Sequence, residues 1–302
     1  MTIIIGRTIV PGRYGRAMLR GALVASIVAA ALAVAPAAVA QQVTGDFGGG
    51  AVTAPPAPPL RAGNMVIGLH STDGATVQIV ATMVGRCASG SFSASVPVAA
   101  DGTFSAKGAV RQARASTRYE LRGTLSQTPA GTASASFERT TVASTRRCRT
   151  LEVPWQARRT AGVGGFGMPA AVVPGGLLLG TSSQLDAGVP RGIALRVAPD
   201  GRSLSRAIYG VRTSCTHGGT SPTFDLPRDN LPIGPDGRAS DREEGTVMTR
   251  TSILKYVERF AATVGSSGGE GMFSVALSVR RRSTGKRITL CRSGDVRWSA
   301  SY

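Results

Sequence analysis

One phrase occurs twice in the chain: "CRTLEVPWQA" at 148–157 and "CRSGDVRWSA" at 291–300. The two copies contain both tryptophans of the protein, Trp155 and Trp298, each seven residues after a cysteine. Setting Cys148 against Cys291 also brings Cys87 against Cys215. Between the cysteines each copy carries an Asp-Gly pair, Asp101-Gly102 or Asp236-Gly237, and then a basic stretch, "ERTTVASTRR" or "SVRRRSTGKRITL". Order conserved to this extent is the signature of a duplicated unit, and a duplicated unit folds twice. The copies are expected at 65–158 and 177–302. Each follows a Gly/Pro-rich stretch, 41–64 or 159–176, which reads as a linker.

Within the copies the period is two. "TVQIVATMV", "IALRVAPDG" and "MFSVALSVR" alternate or run apolar over strand lengths, and Asp-Gly pairs punctuate them. The segment 251–264 also fits a helical face, but its counterpart around Tyr119 alternates, so a strand is expected near 259–264. Along the repeated phrase, Val153, Trp155 and Ala157 share one parity, as do Val296, Trp298 and Ala300. Trp155 and Trp298 are therefore expected in the core, with Glu152 and Asp295 facing water. Cys148 and Cys291 fall on the polar parity, at the entrance of that strand. The predicted class is all-β: two tandem antiparallel β-sandwich-like domains, each with one intradomain disulfide.

The first forty residues stand apart. Arg7, Arg13, Arg16 and Arg20 precede an apolar run that ends in "AVA" before Gln41. This pattern predicts a signal peptide cleaved near Ala40 and a secreted, extracytoplasmic protein. A leader starting at Met18 would have more ordinary proportions. Four cysteines suit an oxidising compartment and allow three pairings, of which the duplication favours Cys87–Cys148 and Cys215–Cys291.

The unit resembles a type of secreted bacterial β-domain repeat with one Cys pair, an internal Asp-Gly turn and a closing C-x-[ST]-G-x-V-x-W-x-A strand. The resemblance covers 66–158 and 178–302. "CRSGDVRWSA" fits that strand fully, whereas the first copy has Leu151 in place of the glycine. It implies an extracellular β-domain and brings no catalytic residues with it.

Charge is the remaining signal. The chain carries a formal +18, with Arg outnumbering Lys 32 to 3, and 41–160 and 161–302 are each net +7. The basic run of copy two places Arg280, Arg281, Arg282, Lys286 and Arg287 around a Ser-Thr-Gly turn. Copy one is basic at the same place, with Arg146 and Arg147. These residues are candidates for binding an anionic wall polymer or a membrane surface. No dedicated nucleic-acid motif is present, and the aromatics expected of a single-strand binder are few. No cofactor or metal is expected.

"GVGGFG" at 162–167 lies in a linker without the strand that a dinucleotide site needs, and "GSSGG" at 265–269 lacks a strand-to-helix turn. The alternatives are a secreted hydrolase using His217 or the acidic segment with Asp236, Asp241, Glu243 and Glu244, and a protein-interaction module.

Overall fold

Alternating segments broken by Asp-Gly turns build two sheets, one per copy. The structure, a computed structural model, describes residues 43–51, 64–84, 89–112, 115–140, 145–149, 152–160, 171–216, 220–225, 230–248 and 251–302. The first sheet comprises β1 (Gly45–Ala51), β2 (Asn64–Ser71), β3 (Thr76–Val84), β4 (Ser89–Pro97), β5 (Thr103–Gln112), β6 (Ala115–Thr124), β7 (Ala130–Thr140), β8 (Thr145–Arg149) and β9 (Val153–Arg159). The second comprises β10 (Leu177–Asp186), β11 (Val189–Val197), β12 (Ser203–Cys215), β13 (Thr220–Asp225), β14 (Leu231–Pro232), β15 (Arg238–Met248), β16 (Ser252–Val264), β17 (Gly268–Arg281), β18 (Arg287–Arg292) and β19 (Val296–Ser301).

Hydrogen-bonded order is β4-β3-β2-β1-β9-β7-β6-β5 in one sheet and β13-β12-β11-β10-β19-β17-β16-β15 in the other. Apart from the two-residue β14, the sheets match strand for strand. Their registers match as well: Gly131 stands opposite Trp155, and Gly271 opposite Trp298. The Asp-Gly turns behave alike. Asp101 and Asp236 each accept the backbone N–H two residues on, from Thr103 at 2.9 Å and from Arg238 at 3.1 Å.

The expected sandwich does not form, because each copy is a single sheet curled on itself. β18 pairs with both β12 and β17, so β12, β11, β10, β19, β17 and β18 close a barrel. The first sheet is a near-barrel, in which Phe92 of β4 reaches over Gly108 of β5 and stacks on Tyr119 of β6 with centroids 5.1 Å apart. Strands such as β12, with 13 residues, and β17, with 14, coil far enough to serve both sides of a barrel.

Two further expectations change. The repeated phrase is not one strand: Cys148 sits on β8 and Cys291 on β18, each separated by a break from the strand that carries the tryptophan. In copy two the break is at Gly294, whose φ of 68° an ordinary residue resists. The segment 41–64 is not all linker either, since "GDFGGGA" forms β1 between β2 and β9. The corresponding strand of copy two is β10, between β11 and β19. The helical-looking run 251–264 is strand β16.

Trp155 and Trp298 are 1% and 0% exposed, each ring lying over a glycine, Gly123 or Gly271. Trp298 continues into a stack with Phe260, Tyr209 and Phe273. Cys215 and Cys291 are directly opposite across β12 and β18 and form a disulfide at the barrel's closure. Cys87 lies outside the described residues, and the pairing Cys87–Cys148 with it.

Ala40–Tyr302 cluster as one compact unit, in which the sheets meet through β1, β2, β10 and β11. Val66, Leu179, Ala194 and Ile208 form an apolar cluster there. The backbones touch: a Cβ at Gly192 would collide with the backbone of Ile67, and one at Gly68 with the carbonyl of Pro190.

Gly192→Val is expected to destabilise by more than about 2 kcal/mol in urea melts, because strands rather than side chains must move. Replacing both Cys215 and Cys291 by Ala removes a cross-link spanning 76 residues. The expected cost is about 4 kcal/mol in the chain-entropy model, with faster amide exchange along β18.

Candidate functional site

The cationic run of copy two crosses a β-hairpin. Arg280 and Arg281 end β17, a short turn follows, and Arg287 opens β18. Arg281 N–H donates to the carbonyl of Lys286, and Gly285 N–H to that of Arg281, both at 2.9 Å. This register sets Arg280 directly opposite Arg287, and residues 280–288 are all exposed. Arg280, Arg281, Lys286 and Arg287 form no ion pair among the described residues. Arg282 is tied through its backbone N–H to the carbonyl of Thr251. The equivalent hairpin of copy one, β7–β8, sets Arg139 opposite Arg146 and Glu138 opposite Arg147. Arg147 reaches Glu138 at 3.5 Å, while the side chain of Arg146 is outside those described.

Sequence reasoning did not find a broader surface beside the β7–β8 hairpin. Phe104, Ala106, Tyr119, Leu121, Ala133 and Ala135 turn into the first core, so alternate residues of β5, β6 and β7 face out. Three hollows, of about 700, 600 and 300 Å³, lie along this outer face, and the last two adjoin through shared lining residues. The first is lined by hydroxyls such as Thr103, Thr124 and Thr132, beside Arg122. In the middle one, Glu120 holds Arg122 at 2.7 Å and Lys107 at 3.8 Å. The bond from Arg122, then its charge, holds the Glu120 carboxyl below the usual range. The middle and last hollows share Arg118, Ser136 and Arg149. These three lie on one cross-strand line, Arg118 opposite Ser136 and Ser136 opposite Arg149. Along the face, Lys107, Arg118, Arg122, Arg147 and Arg149 outnumber Glu120 and Glu138.

The acidic segment is a strand, not the loop its composition suggests. Asp241, Glu243 and Glu244 lie exposed on β15, and Tyr256 of β16 donates a 2.7 Å hydrogen bond to Glu243. Asp236 serves the turn before β15. Glu258 stands directly opposite Glu243, is 0% exposed and points inward on the parity of Phe260 and Ala262. Burial pushes its pKa up to about 8. By register it takes the place that Tyr119 holds in copy one, four residues beyond the glycine facing tryptophan. A carboxyl protonated near neutral pH is chemically able to donate a proton. Glu258 lies in an apolar run, and only the register separates it from a surface glutamate.

His70 bonds Asp46 across β1 and β2 at 2.7 Å, whereas His217 lies outside the described residues. "GSSGG" spans the turn from β16 into β17, and "GVGGFG" is outside the described residues. Among the described residues, no group of three or more His, Cys, Asp or Glu could hold a metal ion.

No family model and no curated protein matches the chain. Among solved structures it is similar to kievitone hydratase from Nectria haematococca, at 8% identity over 86% of this chain and 90% of that one, with a TM-score of 0.21. It is also similar to an AttH-like protein from Nitrosomonas europaea, at 9% identity over 85% of this chain and 91% of that one, with a TM-score of 0.22. Likeness this remote assigns neither family nor activity.

Because the folded pKa of Glu258 is raised from 4.5 to about 8, the folded state keeps a proton that the unfolded chain releases. Its contribution to stability is therefore complete below about pH 4.5 and declines until about pH 8. Glu258→Gln is expected to raise Tm above wild type at pH 8.5, and the gap is expected to shrink towards pH 5. A gap of the same size at both values would contradict the buried, protonated assignment.

Proposed function

We propose that the protein is an exported, non-catalytic binder of anionic cell-envelope polymer, engaging it through the Arg-rich hairpins β7–β8 and β17–β18. One observation carries the reading: Arg280 stands directly opposite Arg287 on an exposed hairpin. Like charges at directly opposed positions destabilise a strand pair, by an amount comparable to the ~0.2–1 kcal/mol that opposite charges contribute. A polyanion turns that repulsion into shared attraction. The copy-one hairpin repeats the arrangement with Arg139 opposite Arg146. A cationic edge also discourages sheet-to-sheet pairing, but a single lysine or arginine is enough for that. The leader at 1–40 supports delivery out of the cytoplasm, where envelope polymers are reached.

The test is titration calorimetry with polygalacturonate and polyphosphate, at low and at moderate salt, with dextran as the neutral control. Binding of both polyanions is expected to weaken steeply with salt, because exposed charges are screened over about 10 Å at 0.1 M. Arg280→Gln combined with Arg287→Gln is expected to weaken binding several-fold and to leave Tm unchanged or slightly higher. Salt-insensitive binding, or dextran bound as well as the charged polymers, would overturn the reading.

A further inference from the structure

We propose that the outer face of β5–β8 is a binding site for acidic polysaccharide, in which Arg118 and Arg149 flank Ser136 and clamp a carboxylate-bearing sugar. The inference rests on the polyanion reading and adds a place and a ligand chemistry to it. Three adjacent strands bring Arg118, Ser136 and Arg149 into line, with neighbouring Cβ atoms about 5 Å apart. Neither guanidinium is ion-paired among the described residues, and both line the same two hollows. Two planar forks that line the same hollows on either side of Ser136 suit the oxygens of a carboxylate, and the Ser136 hydroxyl between them can donate or accept.

The rest of the face favours a sugar over a bare chain of charges. Thr103, Thr124 and Thr132 line one end, and Ser134 lines the middle hollow. Glu120 and Glu138 also lie along it. A carboxylate in the groove repels a ligand charged at every unit, yet accepts hydrogen bonds from hydroxyls. The ligand that satisfies both kinds of group carries anions and hydroxyls together. Among the described residues no aromatic ring is exposed on the face, the Tyr119 ring being buried, and base stacking finds no platform there.

The duplication supplies an internal control. In copy two the corresponding line is Val257 opposite Ala276, and Ala276 opposite Arg292. One guanidinium and the central hydroxyl are missing there. A clamp present in one copy only is not a requirement of the shared fold.

The experiment compares polygalacturonate, which has carboxylates and hydroxyls, with polyphosphate, which has charge alone, on the full chain. Arg118→Gln with Arg149→Gln is expected to weaken polygalacturonate about tenfold or more, since charge-assisted bonds to the carboxylate are lost. Polyphosphate is expected to lose much less. Ser136→Ala is expected to weaken polygalacturonate and leave polyphosphate unchanged. Should the glutamine pair fail to fold by circular dichroism, Arg118→Lys with Arg149→Lys keeps the charge and removes the forks, and the same preference is expected to shrink. The clamp is overturned if its variants bind polygalacturonate as wild type does, or lose both polymers equally. If only the hairpin variant Arg280→Gln with Arg287→Gln loses binding, the clamp falls and the polyanion reading stands. If wild type binds neither charged polymer, both fall.

Discussion

Backbone contact between the two sheets organises everything outside it. Gly68 and Gly192 let β2 and β11 approach until carbonyls and main-chain atoms meet, a distance that no side chain permits. This contact commits β1, β2, β10 and β11 to the interior of the assembly. Away from this contact lies part of the remainder of each sheet, including β5–β8 in copy one and β15–β18 in copy two. Both cationic hairpins and the grooved face lie in that remainder. The same glycines that bury one side leave the opposite sides free to meet a partner.

Duplication with divergence separates what the fold needs from what one copy alone has acquired. Both copies keep a tryptophan packed over a glycine, an Asp-Gly turn and a cysteine on a short strand beside the closing one. These serve closure and core. Other positions differ in chemistry at equal register. Tyr119 becomes Glu258, Gly108 becomes Glu243, and Arg118 with Ser136 becomes Val257 with Ala276. Copy one has placed cations on the outside of its sheet, whereas copy two has placed carboxylates on the inward parity of β15 and β16. The two surfaces are chemically distinct although their backbones correspond.

Much of the fold was legible as pattern. The Cys–Trp phrase located the duplication, and parity assigned Trp155 and Trp298 to the interior. Glycine misled in one place: "GDFGGGA" reads as a spacer by composition, but it is a strand whose small residues serve close approach. Parity also could not reveal the break between Cys291 and Trp298: Cys291 lies on the polar parity of the phrase yet is buried in the core, because the turn at Gly294 switches which parity faces inward. Closure into a barrel depends on β18 bridging β12 and β17, a long-range pairing with no local signal. The cationic hairpin was visible as a run of like residues. Arg118, Ser136 and Arg149 are scattered along the chain, and only strand register assembles them.

Amide hydrogen exchange, with and without bound polygalacturonate, maps the contact directly onto the strands. The account predicts added protection along β6, β7 and β8 and at the two cationic hairpins, with β10 and β11 unchanged because they are already buried. Protection confined to β15 and β16, or none anywhere under conditions where the polymer binds, would contradict it.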